Sequence, residues 1–79
     1  MNIETKIEAL KRIAEAVHNG RYKEYSGRGM YGKYCASVYC DDGYEVIELA
    51  AQAGVTGART DSMGRGYVVY WPSIPIKDE

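Results

Sequence analysis

Three observations predict an α+β fold for this chain of 79 residues, with a small, largely antiparallel sheet and helices packed on one face. Apolar side chains recur at intervals of three and four over residues 2–18, the period of an amphipathic helix. Residues 34–40 alternate, and residues 66–71 concentrate β-branched and aromatic side chains, as strands do. Glycine and paired aspartates punctuate the stretches between them. A chain of this length makes one domain, 1–79, with residues 72–79 expected as an extended C-terminal tail. The expected order is α-β-α-β-β.

The first helix is expected over Asn2–His18, with Ile3, Ile7, Leu10, Ile13, Ala14 and Val17 on one face and mixed charges on the other. Asn2 can cap its start, and Asn19-Gly20 supplies a left-handed stop. Residues 21–32 read as a loop, because three glycines close together disfavour a helix. Lys33–Cys40 reads as a strand, with Tyr34, Ala36, Val38 and Cys40 on one face and Cys35, Ser37 and Tyr39 on the other. Asp41-Asp42-Gly43 breaks it. Tyr44–Ala53 fits either a strand returning through the Asp-Gly turn or a helix. The Asp42/Glu45 spacing, the Leu49–Ala53 run and the stop at Gly54 favour the helix. Val55–Asp61 reads as extended, Ser62–Arg65 as a turn and Gly66–Trp71 as a strand, together a β-hairpin. Pro72 and Pro75 are expected to end the regular structure.

Composition sets the limits on function. Hydrophobic residues at 46% and charged residues at 27% describe a folding globule rather than a disordered chain. A net charge of −1 argues against charge-driven nucleic-acid binding over the whole surface. Locally the balance is different: Arg21, Lys23, Arg28 and Lys33 face only Glu24, and Arg59 and Arg65 face only Asp61. Cys35 and Cys40, five residues apart on a strand, point to opposite faces and stand about 16 Å apart, so they are expected as reduced, buried thiols. His18 has no metal-ligand spacing or nucleophilic partner near it, and the serines lie in no recognisable nucleophile turn. No enzyme activity, cofactor or metal is therefore expected. Without an apolar run near 18 residues or a disulfide framework, no membrane association is expected, and a reducing cytosol is the natural compartment.

The least ordinary stretch is Ser26-Gly27-Arg28-Gly29-Met30-Tyr31-Gly32, echoed by Ser62-Met63-Gly64-Arg65-Gly66-Tyr67. Both carry Gly-Arg-Gly with a methionine and a tyrosine close by. Successive amides around glycines can cradle an anion, and a guanidinium beside them offers a planar fork to phosphate or carboxylate. Neither stretch is a Walker loop, since no Gly-Lys-Ser/Thr follows, and neither has the strand before and helix after of a dinucleotide site. Arg28, Met30, Tyr31 and Lys33, with Tyr25 before them, and Arg59, Arg65 and Tyr67 are thus the candidate binding residues. The competing reading is structural: the glycines shape tight connections and the arginines lie on the surface.

The Ser-Gly-Arg-Gly-Met-Tyr-Gly run, with Thr60-Asp61-Ser62-Met63-Gly64 and Tyr67-Val68-Val69-Tyr70-Trp71-Pro72 after it, resembles small proteins encoded by bacteriophages and prophages, over most of residues 25–72. The resemblance implies an accessory protein that binds a host component in the host cytosol, in the manner of anti-CRISPR and other counter-defence inhibitors. A host protein is the first partner expected. A phosphate-bearing small molecule, sequestered by the arginine loops, is the second, and a nucleic acid the third.

Overall fold

In the computed structural model, which describes residues 2–26 and 34–76, the chain runs α1 (Ile3–Ala16), β1 (Arg21–Ser26), β2 (Tyr34–Cys40), α2 (Gly43–Gln52), β3 (Arg59–Met63) and β4 (Gly66–Ile76). Asn2 opens α1 by accepting the Thr5 N–H at 2.8 Å. The helix ends at Ala16, two residues short of the expected His18, with Val17 as an extended C-cap whose N–H donates to the Ile13 carbonyl. Asn19 and Gly20 shape the turn that follows rather than the stop itself. Asn19 takes the left-handed conformation at φ 58°. Gly20 passes so close to the helix end that a Cβ there would lie 2.2 Å from the Ala14 carbonyl oxygen and 2.5 Å from Val17 Cγ2.

The ambiguous stretch after β2 is a helix. Asp42 caps α2 by accepting the Tyr44 and Glu45 N–H groups at 3.1 and 3.3 Å. At the other end Val55 N–H bonds the Ala50 carbonyl and Gly54 N–H bonds the Ala51 carbonyl, with Gly54 at φ 89°. That pair of bonds is the Schellman arrangement, and its apolar contact is made by Val55 and Ala50, both buried in the core.

The four strands form one antiparallel sheet in the order β1-β2-β4-β3. The class is α+β, as expected, with one more strand than the sequence pattern suggests. Residues 21–26, expected as part of a loop, are β1, paired with β2 from Arg21↔Tyr39 to Ser26↔Tyr34. The reason they escape the period-2 signal is that β1 gives one tyrosine to each face: Tyr22 sits opposite Val38 and Tyr25 opposite Cys35. Joining the end of β4 to the start of α1 would give a β-α-β-β-α-β order, so the topology is that split plait opened before its first helix.

Pro72 and Pro75 do not end the regular structure, because β4 continues to Ile76. Ala36 pairs with Trp71 but Cys35 pairs with Pro75, so Pro72, Ser73 and Ile74 are accommodated in a bulge. Pro72 falls where the ladder is interrupted and no donor is required. Beside Pro75 only β2 is alongside, since β3 pairs no further than Tyr70. The bulge also lets Trp71 and Ile74, three residues apart, both enter the helix-side core.

That core lies between the helices and one face of the sheet. Leu10, Ala14 and Val17 of α1 and Val46 and Ala50 of α2 meet Val38, Val69 and Trp71. Trp71 is the only tryptophan and has no exposed surface, so its emission reports folding. In urea titrations followed by that emission, Gly20→Ala should lower stability by about 1–3 kcal/mol, because the Ala14 carbonyl it would strike is helix backbone. Asp42→Ala should lower it by about 1 kcal/mol. An unchanged midpoint for Gly20→Ala would contradict the close approach.

Candidate binding site at one end of the sheet

The face of the sheet away from the helices is built by register. Arg21, Lys23 and Tyr25 of β1 stand opposite Tyr39, Ser37 and Cys35 of β2; Tyr70 and Val68 of β4 follow, then Arg59 and Asp61 of β3. Its middle is sealed. Tyr25 lies against Tyr70, ring centroids 4.9 Å apart, and its hydroxyl donates to Asp61 Oδ2 at 3.0 Å, so one side chain ties the two outer strands together. Beneath, Ser37 is fully buried and its hydroxyl donates to the Lys23 carbonyl. Tyr70 keeps only 7% of its surface. A stacking platform for nucleic-acid bases needs open ring faces, which this arrangement does not offer.

The open chemistry sits at the end of the sheet where β1 begins, β2 ends and the β3–β4 hairpin turns. A cleft of about 560 Å³ is lined there by Asn19, Gly20, Arg21, Tyr39, Asp41, Arg65 and Tyr67. Two glycines of the echo stretch explain its shape. Gly64 takes φ 63° in the two-residue turn between Met63 and Gly66, as the first central residue of such hairpins requires. Gly66 approaches β2 so closely that a Cβ would lie 2.6 Å from the Cys40 carbonyl oxygen. Asp41 is engaged on one side of the cleft: it accepts Asn19 Nδ2 at 3.0 Å and lies 3.8 Å from His18 Nε2. Arg21 and Arg65 are exposed and have no ion pair among the described residues.

Around the corner from this cleft, Tyr67 also lines a groove of about 240 Å³ with Asp42, Gly43, Tyr44 and Thr60. Tyr44 is 85% exposed and Tyr67 46% exposed. On the other side, a groove of about 470 Å³ between α1 and β1 is lined by Lys11, Glu15, Gly20, Arg21, Tyr22 and Lys23. The Lys11 ammonium lies 5.5 Å from the Tyr22 ring centre, and that of Lys23 lies 5.6 Å from Tyr39.

Among the residues singled out by sequence, Arg65 and Tyr67 reach this end of the sheet. Arg59 does not meet them. It starts β3 while Arg65 follows its end, with about 13 Å of strand between Arg59 and Met63. Tyr25 belongs to the sealed middle of the second face. Arg28, Met30, Tyr31 and Lys33 lie outside the described residues. The residues that bracket them, Ser26 and Tyr34, pair with each other at the opposite end of the sheet from Gly66, about 20 Å away along β2. Pattern reasoning missed Tyr39 and Tyr44, and noticed Arg21 only as part of a basic excess. The signal that would have found Arg21 is the strand character of residues 21–26, since their antiparallel register carries it to the Arg65 end.

Both cysteines are free and buried. Burial pushes the Cys35 thiol up; burial, then Asp42 and Asp41, push up that of Cys40. Neither is an activated nucleophile. Among the described residues no group of three or more His, Cys, Asp or Glu side chains could hold a metal, and no helix is long and apolar enough to cross a membrane. No protein family, curated protein or solved structure matches this chain.

Burial, with smaller contributions from Glu24 and Cys35, raises the Tyr22 hydroxyl to about 12. The unfolded hydroxyl loses its proton near ~10. Unfolding therefore becomes easier as pH rises from about 10 to about 12, because only the unfolded state releases the proton there. The stability advantage of the parent over Tyr22→Phe should shrink across that window in urea titrations at successive pH values. A constant difference would show that the hydroxyl is not held in a dry site.

Proposed function

We propose that this chain is a non-catalytic binding protein that occupies the surface of a host protein, as a phage-type accessory or counter-defence inhibitor of the anti-CRISPR kind. The observation that carries the reading is the pair Tyr44 and Tyr67, two well-exposed aromatic rings that flank one groove beside Arg65. Exposed tyrosine and arginine side by side are the residue types that dominate binding at protein interfaces. Their rings bury large area on contact and lose little side-chain freedom. The groove is small, which suits an anchoring side chain of a partner better than an enclosed substrate.

The partner surface this end fits carries an apolar or aromatic anchor for the tyrosine groove and a carboxylate for Arg65. The resemblance of residues 25–72 to small phage and prophage proteins supports a host component as its source. A photocrosslinking residue at Glu45, exposed beside Tyr44, should capture the host protein in cells. Against that captured protein in purified form, Tyr44→Ala and Tyr67→Ala should each weaken binding by at least about 1–2 kcal/mol, with Trp71 emission unchanged. Parent-like affinity in both variants refutes the reading.

A further inference from the structure

We propose that the two clefts on either side of Arg21 form one phosphate-binding strip that takes a nucleotide, with its phosphates on Lys11, Lys23, Arg21 and Arg65 and its base beside Tyr39. The strip shares Arg65 and Tyr67 with the protein-binding end but runs away from it along β1, and Tyr44 borders neither cleft. The two clefts share Gly20 and Arg21, so they meet rather than lie apart. Lys23 completes the join: it lines the cleft along β1, while its ammonium rests on Tyr39, a wall of the other. Four cationic side chains therefore follow one another along the strip, all exposed.

Two acids border it, and neither cancels it. Asp41 is turned to the Asn19 amide and to His18, and Glu15 stands on the α1 side. The concentration of cations is not a property of the whole molecule, whose net charge is −1. The helices instead carry Glu4, Glu8, Glu15, Glu45 and Glu48 against Lys6, Lys11 and Arg12.

Three features suit a nucleotide. Arg21 and Arg65 have no carboxylate partner among the described residues, so both guanidinium forks are open to the oxygens of a polyphosphate, which carries more than one anionic group for them to share. Tyr39 walls the wider cleft with Lys23 resting on its ring, so a base edge can lie beside the ring while a phosphate reaches that ammonium. The wider cleft, at about 560 Å³, has room for a base and sugar. Its base would meet the outer rim of the second face, not the sealed middle at Tyr70.

The same chemistry could arrive as a free nucleoside polyphosphate or as a single strand, and anisotropy titrations with fluorescently labelled ATP, labelled GTP and a labelled oligothymidylate separate them. Four phosphate contacts from a single strand give a slope of log affinity against log salt of about −3, from about −0.7 per contact. Oligothymidylate binding with that slope assigns the strip to a strand. Triphosphate binding that unlabelled oligothymidylate does not displace assigns it to the free nucleotide. In either case Arg21→Glu should weaken binding by at least about tenfold, and Lys23→Gln should weaken it less, with Trp71 emission unchanged. Tyr44→Ala should bind the labelled ligand as the parent does, so loss of the host-protein contact leaves this site measurable. Absence of binding by every probe at low salt, equal displacement by polyglutamate, or parent-like affinity in both Arg21→Glu and Lys23→Gln overturns the proposal.

Discussion

Pairing of β2 with β4 places two strands at the centre of the sheet that are dry on both sides, and the other features answer to that requirement. Val38 and Val69 face the helices, whereas Ser37 and Tyr70, paired one residue along, face away from them and are buried all the same. The two helices cover one face of the sheet, and among the described residues no further element lies on the other. Tyr25 takes part in that cover, with its ring on Tyr70 and its hydroxyl on Asp61. Tyrosine suits the position because it seals apolar surface while finding a polar partner for its hydroxyl. The strand that carries it, β1, is held to β2 by a full ladder and by the Ser37 hydroxyl on the Lys23 carbonyl.

A sheet sealed on both faces displaces its open chemistry to the rim. At one end, where β1 starts and the β3–β4 hairpin turns, the backbones crowd: Gly20 is pressed on the α1 terminus and Gly66 on the end of β2. Small residues at those two points let Arg21 and Arg65 border a common cleft. The glycines of the Gly64-Arg65-Gly66 stretch thus have structural tasks, one a positive φ and the other a close approach, while the arginine between them is left to solvent. Structure and binding are not rival explanations of that tripeptide. The two glycines present the arginine that the proposed binding strip uses.

Much of the architecture was legible from local chemistry. Asn2 and Asp42 read as caps and are caps; Gly54 read as a stop and closes a Schellman turn. The face assignment of Ala36, Val38 and Cys40 against Cys35 and Ser37 follows from a period of two and is observed. What escaped were β1 and the far half of β4. β1 has an aromatic residue for each face, so it lacks the alternation that marks a half-buried strand. The end of β4 contains two prolines that a straight ladder would refuse and a bulged one accepts.

The sequence by itself determined the α+β class, the starts of both helices, the stop of α2 and the turn at Gly64, because each depends on residues close along the chain. Only the tertiary structure decided which charges keep company. Arg21 and Arg65 are far apart in sequence and were gathered by strand order and register, while Arg59 and Arg65, six positions apart and grouped together in the chain, were held at opposite ends of one hairpin. Strand pairing is a non-local contact, and its register rests on the fit of whole strands rather than on any motif within them.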